Sequence, residues 1–133
     1  MPKDITVELL QVGASTTEAR IRRHHVLVDR PETNGGADQG PMGGELFLAA
    51  VGGCFMSNLL AAIRARDAAV SRVRVHVVGS LVEGPPRYQT VNLRVSADFS
   101  DRDLFEKLVE IADRGCIMTN TLRGTTRLIV SLS

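Results

Sequence analysis

Two cysteines supply the only thiols of this 133-residue chain, and each stands among neighbours that bear on its reactivity. Cys54 lies in AAVGGCFMSN (residues 49–58) and Cys116 in RGCIMTN (114–120). A thiol attacks as its thiolate, and a cysteine oxidised beside a second thiol closes to a disulfide that an external dithiol can reopen. Taken singly, Cys54 reads as a small core residue, because free cysteines are among the most buried side chains. Gly52 and Gly53 argue for more. A glycine inside a helix costs roughly 1 kcal/mol relative to alanine, so the pair is expected to clear space, for a closely packed neighbour or for a substrate beside the sulfur. Asn58, one turn beyond Cys54 on the same helix face, adds a polar group to this apolar stretch. Cys116 follows Gly115 and is expected at a helix start, where unpaired backbone N–H groups favour a thiolate.

Elements must hold these thiols in place. Residues 45–67 are apolar on every side, which describes a long central helix buried all round. Arg64 and Arg66 near its end complement the negative pole of the helix dipole. Upstream, Ile5, Val7 and Leu9 alternate with polar residues, and 17–28 is extended in character, with Arg20, Arg22 and Arg23 among apolar and β-branched neighbours. With Gly13-Ala14-Ser15 as a turn, the region 1–30 reads as a strand followed by one or two more. In a regular strand Arg20 and Arg22 share a face and Arg23 points the other way. Residues 32–44 form a loop with Gly35, Gly36, Gly40, Gly43 and Gly44 around Pro41.

Beyond the central helix, Val73, Val75 and Val77 alternate with Arg74 and His76; after Gly84-Pro85-Pro86, the residues Val91, Leu93, Val95 and Ala97 alternate in the same way. That pattern is two strands, each with one buried face, joined by a tight connection. Ser100 is expected to cap a helix in which Leu104, Leu108, Ile111 and Ala112 recur at helical spacing. Gly115 interrupts it, a further helical turn runs through Leu122, and 126–132 reads as a last strand. A β-β-β-α-β-β-α-α-β order with few crossovers predicts one α+β domain over 1–133, mainly antiparallel, with its β-β-α-α-β portion at 71–133.

Composition narrows the partners. A chain of this length buries roughly 65 to 70% of the surface its unfolded form exposes, enough for a core without staples. The net charge is +1 and the basic residues are scattered, so no nucleic-acid partner is expected. Asp4 and Glu8 stand where a secretory leader would place positive charge and an apolar run, which argues against export. Residues 46–63 carry no charge and touch the lower limit for a membrane span, but Gly52, Gly53, Ser57 and Asn58 dilute the stretch. The expectation is a cytoplasmic chain with no membrane partner. That compartment keeps thiols reduced, so paired cysteines there serve catalysis or sensing. His24, His25 and His76 lack the spacing of a metal site, and the glycine-rich loop has neither a Walker lysine nor a Rossmann spacing; no metal or nucleotide is expected.

GGELFLAAVGGCF (43–55), followed about 60 residues later by RGCIMTNTL (114–122), resembles the two-cysteine signature of the OsmC/Ohr superfamily (osmotically inducible protein C and organic hydroperoxide resistance). The upstream VLVDRPETNGGADQGPMGGEL (26–46) is similar to the Asp-Pro, Gly-Gly, Gly-Pro loop of its OsmC-like branch. The resemblance implies an OsmC-like fold, an intertwined homodimer with each active site at the subunit interface, and a peroxidase acting on organic hydroperoxides. It makes Cys54 the peroxidatic and Cys116 the resolving cysteine, with an external dithiol as reductant and no bound cofactor. It further implies an arginine from an early strand, among Arg20, Arg22 and Arg23, held by a glutamate at the start of the central helix. Gly52, Gly53, Phe55 and Asn58 would then line the substrate pocket.

One departure opens a second reading. The position ten residues before Cys54, where the resemblance places the glutamate, is Gly44; Glu45 lies nine before. At 100° per residue a nine-residue offset puts Glu45 about 180° from Cys54 around the helix, whereas ten gives about 80°. An irregular first turn would narrow that gap, so Glu45 stands as the candidate catalytic glutamate, with Arg22 and Arg23 as the candidate arginines; it equally suits a plain structural role, as an acidic residue in a first helical turn. The second reading is a non-peroxidatic relative that binds an apolar ligand or senses oxidation through the same thiols.

Overall fold

The computed structural model describes residues 2–133; Met1, the first position of the expected strand region, lies outside the described residues. Three strands come first, β1 (Glu8–Gln11), β2 (Thr17–Ile21) and β3 (His24–Val28), then a single 3-10 turn at Glu32–Asn34 and the helix α1 (Gly43–Ala65). Two long strands follow, β4 (Val70–Val82) and β5 (Arg87–Phe99), and then α2 (Arg102–Arg114) and α3 (Ile117–Arg123). All pairing is antiparallel, in a β1-β2-β3 sheet and a β4-β5 sheet. The fold is α+β, as the pattern of periods predicts. Contacts divide the chain into two compact units, Met1–Phe47 and Leu48–Ser133.

In the first unit the register pairs Ile21 with His24, so Arg22 and Arg23 are the two residues of a hairpin turn and not strand positions. Arg22 takes φ 56° there, a left-handed conformation that tight hairpins require of a loop residue. The expected alternation of Arg20, Arg22 and Arg23 across a strand therefore ends at Ile21. At the end of β3, Asp29 organises the glycine-rich loop. Its Oδ2 accepts from Thr16 Oγ1 at 2.8 Å and from the Gln39 N–H at 3.2 Å, and its Oδ1 accepts from the Arg30 N–H at 2.7 Å. Asp29 is only 2% exposed. Burial by itself pushes its pKa up, but these donors, with Ser15, outweigh it and hold the carboxyl well below the usual range. Gly36 runs so close to the strand end that a side-chain carbon there would stand 1.9 Å from the Arg30 oxygen.

The second unit builds its core on one face of α1. Phe55, Leu59 and Ala62, at spacings of four and three, pack with Phe105, Leu108 and Ala112 of α2. Half-buried Val73 and Val75 of β4 and Leu93, Val95 and Ala97 of β5 close the other side. Leu59 and Leu108 are fully buried, so truncating either to alanine costs about 2 to 5 kcal/mol. α2 is capped by Asp101, whose Oδ1 accepts from the Leu104 N–H at 3.0 Å. The cap lies one residue beyond the expected Ser100, because the helix begins at Arg102 and a carboxylate at 101 reaches its third N–H.

Three further expectations are corrected here. α1 spans Gly43–Ala65, not 45–67, and it is not covered all round: its buried residues are Val51, Gly52, Phe55, Leu59 and Ala62, while Ala49, Gly53, Ser57 and Ala61, four apart, are exposed. Within the second unit β4, β5 and α2 pack on the side of α1 that carries Phe55, Leu59 and Ala62. By length and composition α1 is able to cross a membrane, with 28% of its most apolar window buried. The expected last strand over 126–132 is absent: the segment carries no pairing, and Leu128, Val130 and Leu132 are 87%, 90% and 100% exposed. Alternating apolar residues specify a strand's face, but a strand needs a neighbouring backbone to accept its hydrogen bonds.

Candidate active site

Gly115 ends α2, and Cys116 opens α3 as its N-cap, with extended backbone at φ −83° and ψ 118°. The Cys116 N–H donates to the Asp113 oxygen at 3.2 Å, and its own oxygen accepts the first helical bond from Asn120 N at 3.0 Å. The side chain is fully buried. Its thiol closes no cap hydrogen bond of its own; the N–H groups of Thr119 and Met118 face the sulfur instead. Half-buried Cys54 of α1 packs against the core cluster that contains Cys116. Both thiols are free.

The electrostatics of the pair centre on Cys116. Burial raises its pKa, but the Thr119 N–H, the Cys54 thiol, the Thr119 hydroxyl and the Met118 N–H favour the thiolate and bring the net shift below an ordinary thiol. Beside it, Arg123 Nη1 lies 2.7 Å from Asp113 Oδ1, and the Arg123 guanidinium lowers the Asp113 pKa against a smaller opposing effect of burial. The Thr119 hydroxyl donates to the Asp113 main-chain oxygen at 3.0 Å. A cavity of about 570 Å³ opens beside Asp113, Thr119 and Arg123, with Val51, Phe55 and Leu122 among its apolar walls; neither Cys54 nor Cys116 is among its lining residues. Two adjacent thiols with one biased toward thiolate can exchange between dithiol and disulfide, and an oxidised Cys54 has a nucleophile at hand to close on it.

The other sequence-named residues stand as follows. A side-chain carbon at Gly52 would meet Val77 Cγ2 at 2.7 Å, so this glycine admits strand β4, whereas Gly53 has no atom within 4 Å of that position and faces open space. Phe55 lines the cavity, and Asn58, half-buried, is not among its walls. Glu45 is exposed, and its Oε1 accepts from the Met42 N–H at 2.9 Å. That bond is the return half of a capping box and gives Glu45 the structural role open to it. Arg22 and Arg23 occupy the β2–β3 turn; Arg20 on β2 pairs with Glu18 at 2.8 Å.

The family model for OsmC-like proteins matches residues 35–131. The chain belongs to the OsmC-like protein family. Among solved structures, an OsmC-like protein from Mycoplasma pneumoniae superposes on this OsmC-like chain with a TM-score of 0.80 at 17% identity, covering 93% of this chain and 90% of that one. An organic hydroperoxide resistance protein from Elizabethkingia anophelis gives 0.68 at 23% identity, covering 93% and 92%. An organic hydroperoxide resistance protein from Legionella pneumophila gives 0.61 at 21% identity, covering 90% of each. At such identities the likeness is one of fold. No curated protein matches the sequence.

Sequence reasoning missed Asp113, Thr119 and Arg123 of this OsmC-like chain. One signal was available: Thr119 and Arg123 lie three and seven residues beyond Cys116, which places them on its side of a helix. Asp113 gave none, because its part depends on how α2 breaks at Gly115.

Proposed function

We propose that the chain is a thiol-dependent peroxidase that reduces organic hydroperoxides. The observation that carries this reading is that half-buried Cys54 packs on the core cluster that contains the fully buried Cys116, which puts two free thiols in one site. In the proposed cycle the Cys54 sulfur attacks the O–O bond, the hydroperoxide leaves as alcohol, and Cys54 becomes a sulfenic acid. The Cys116 sulfur then displaces hydroxide, which leaves as water, and the disulfide forms. An external dithiol restores both thiols and is itself oxidised to a disulfide. The half-buried Cys54 suits the sulfur that meets substrate, and the fully buried Cys116 suits the one that resolves.

The working unit is a cytoplasmic homodimer. Support comes from the apolar surface that one copy leaves open in its second unit: Leu60 of α1 is 48% exposed, and Leu128, Val130 and Leu132 alternate in a segment without a strand partner. A second copy that pairs with this segment would satisfy both its backbone and its side chains.

Steady-state consumption of an alkyl hydroperoxide with a dithiol donor tests the activity. Cys54→Ser abolishes turnover, and Cys116→Ser leaves one oxidation event that cycles poorly. Turnover retained in both variants refutes the reading. A second reading, a non-peroxidatic relative that binds an apolar ligand or senses oxidation, draws support from the capping bond that occupies Glu45 and from the apolar walls of the cavity. Disulfide formation without catalytic turnover would favour it.

A further inference from the structure

Cys116 sits at a helix break that α3 itself closes. α3 has seven residues, too few to stand on helix propensity alone, and three of its side chains reach back across Gly115 to the last turn of α2. The Thr119 hydroxyl donates to the Asp113 main-chain oxygen at 3.0 Å, Asn120 Nδ2 to the Arg114 oxygen at 3.0 Å, and Arg123 Nη1 to Asp113 Oδ1 at 2.7 Å. The Cys116 N–H shares the Asp113 main-chain oxygen at 3.2 Å. These bonds occupy carbonyls that the end of a helix otherwise leaves to water, and they fasten α3 to α2 around the residue between them. Cys116 is 0% exposed. Cys54 is half-buried, and Gly53 beside it faces open space. The cavity at Asp113, Thr119 and Arg123 is no second way in, since neither thiol lines it.

We propose that an outside dithiol reopens the disulfide at the Cys54 sulfur, with Cys116 as the leaving thiolate, because the α3 clasp keeps Cys116 out of reach. The inference rests on the peroxidase reading for the disulfide it starts from. In thiol–disulfide exchange a thiolate must reach the sulfur it attacks. The first thiolate of the dithiol bonds to Cys54 Sγ, the Cys54–Cys116 bond breaks, and Cys116 leaves with the electron pair and takes up a proton. The second thiolate attacks the dithiol's own sulfur in this mixed disulfide. Cys54 then leaves as a thiolate and is protonated, and the dithiol departs oxidised to a disulfide. Attack at Cys116 would first require α3 to come away from α2, with all three side-chain bonds broken. Assembly with a second copy adds cover, so the burial that Cys116 has within one chain persists there.

The test is the rate of exchange with dithionitrobenzoate, an aromatic disulfide, on single-thiol variants: Cys116→Ser leaves Cys54, and Cys54→Ser leaves Cys116. Access limits a sulfur in the same way whether it attacks or is attacked. Rates are taken where they no longer rise with pH, so that access and not thiolate content sets them. Folded, Cys54 should react at least about tenfold faster than Cys116, and the two should react alike in concentrated guanidinium chloride, where no fold shields either. Adding Thr119→Val to the Cys54→Ser chain should speed Cys116 roughly two- to tenfold, the range set by the net worth of one hydrogen bond. Thr119→Ser keeps the hydroxyl and should leave the rate near that of the parent, which a mere change of side-chain volume would not predict. Equal folded-state rates, or a faster Cys116, overturn the proposal, and a Cys116 rate unmoved by Thr119→Val overturns the clasp as its cause. The exchange uses no peroxide, so a chain that shows these rates but never reduces hydroperoxides would refute the peroxidase reading alone.

Discussion

Replacing Gly52 by alanine opposes two effects whose sizes can be set side by side. Alanine in a helix interior is favoured over glycine by about 1 kcal/mol. Against that, the new carbon would lie 2.7 Å from Val77 Cγ2, about 1 Å inside the ordinary carbon–carbon separation. Val77 cannot easily swing away. Its branched side chain has restricted χ1, and its backbone is paired with Leu93 across the β4-β5 hairpin. Overpacking of this kind costs typically 1 to 3 kcal/mol, so Gly52→Ala is expected to be neutral to destabilising by about 2 kcal/mol. Gly53→Ala, with nothing within 4 Å, meets only the helix term and should stabilise by about 1 kcal/mol. Urea unfolding followed by circular dichroism measures both. With a slope of about 2 kcal/mol/M, the two midpoints should separate by roughly 0.5 to 1.5 M. Two protein concentrations separate folding from self-association on the open helix face. Gly52→Ala as stabilising as Gly53→Ala would refute the reasoning, because β4 would then not need the missing side chain.

Asp29→Asn should lower the unfolding midpoint of the chain at neutral pH, since an amide cannot serve the four donors that converge on the carboxylate. The folded-state pKa of Asp29 is depressed, so its ionic contribution is full above the unfolded value near 4 and fades as pH falls through the lower folded value. The gap between parent and variant midpoints should therefore narrow on acidification, and a constant gap from pH 7 to pH 2 would contradict this account. Asp101→Ala removes the cap of α2 and should cost about 1 kcal/mol, read by the same urea assay; Ser100→Ala should cost little, and the reverse order would return the cap to Ser100.

Much of the frame was legible in the residues. Alternation at Val73, Val75 and Val77 and again from Val91 to Ala97 marked the β4-β5 hairpin, because a half-buried sheet leaves a period of two in any sequence that forms it. Leu104, Leu108, Ile111 and Ala112 marked α2 in the same way. Patterns failed where an element's surroundings matter more than its own period. The run 45–67 reads as apolar throughout, but whether a helix is covered depends on what else reaches it. Residues 126–132 alternate like a strand, yet pairing requires a second backbone.

For the site the division is similar. The sequence by itself determined the two thiols, the glycines around Cys54 and the break at Gly115 that lets a helix start on Cys116, since these follow from residue type and local backbone chemistry. Only the tertiary structure decided that Gly52 admits Val77 whereas Gly53 stands open, that Glu45 closes the cap of its own helix, and that Asp113 and Arg123 gather beside Cys116. Those outcomes depend on distances between residues far apart in the chain or across a helix break, and no period in the sequence records them.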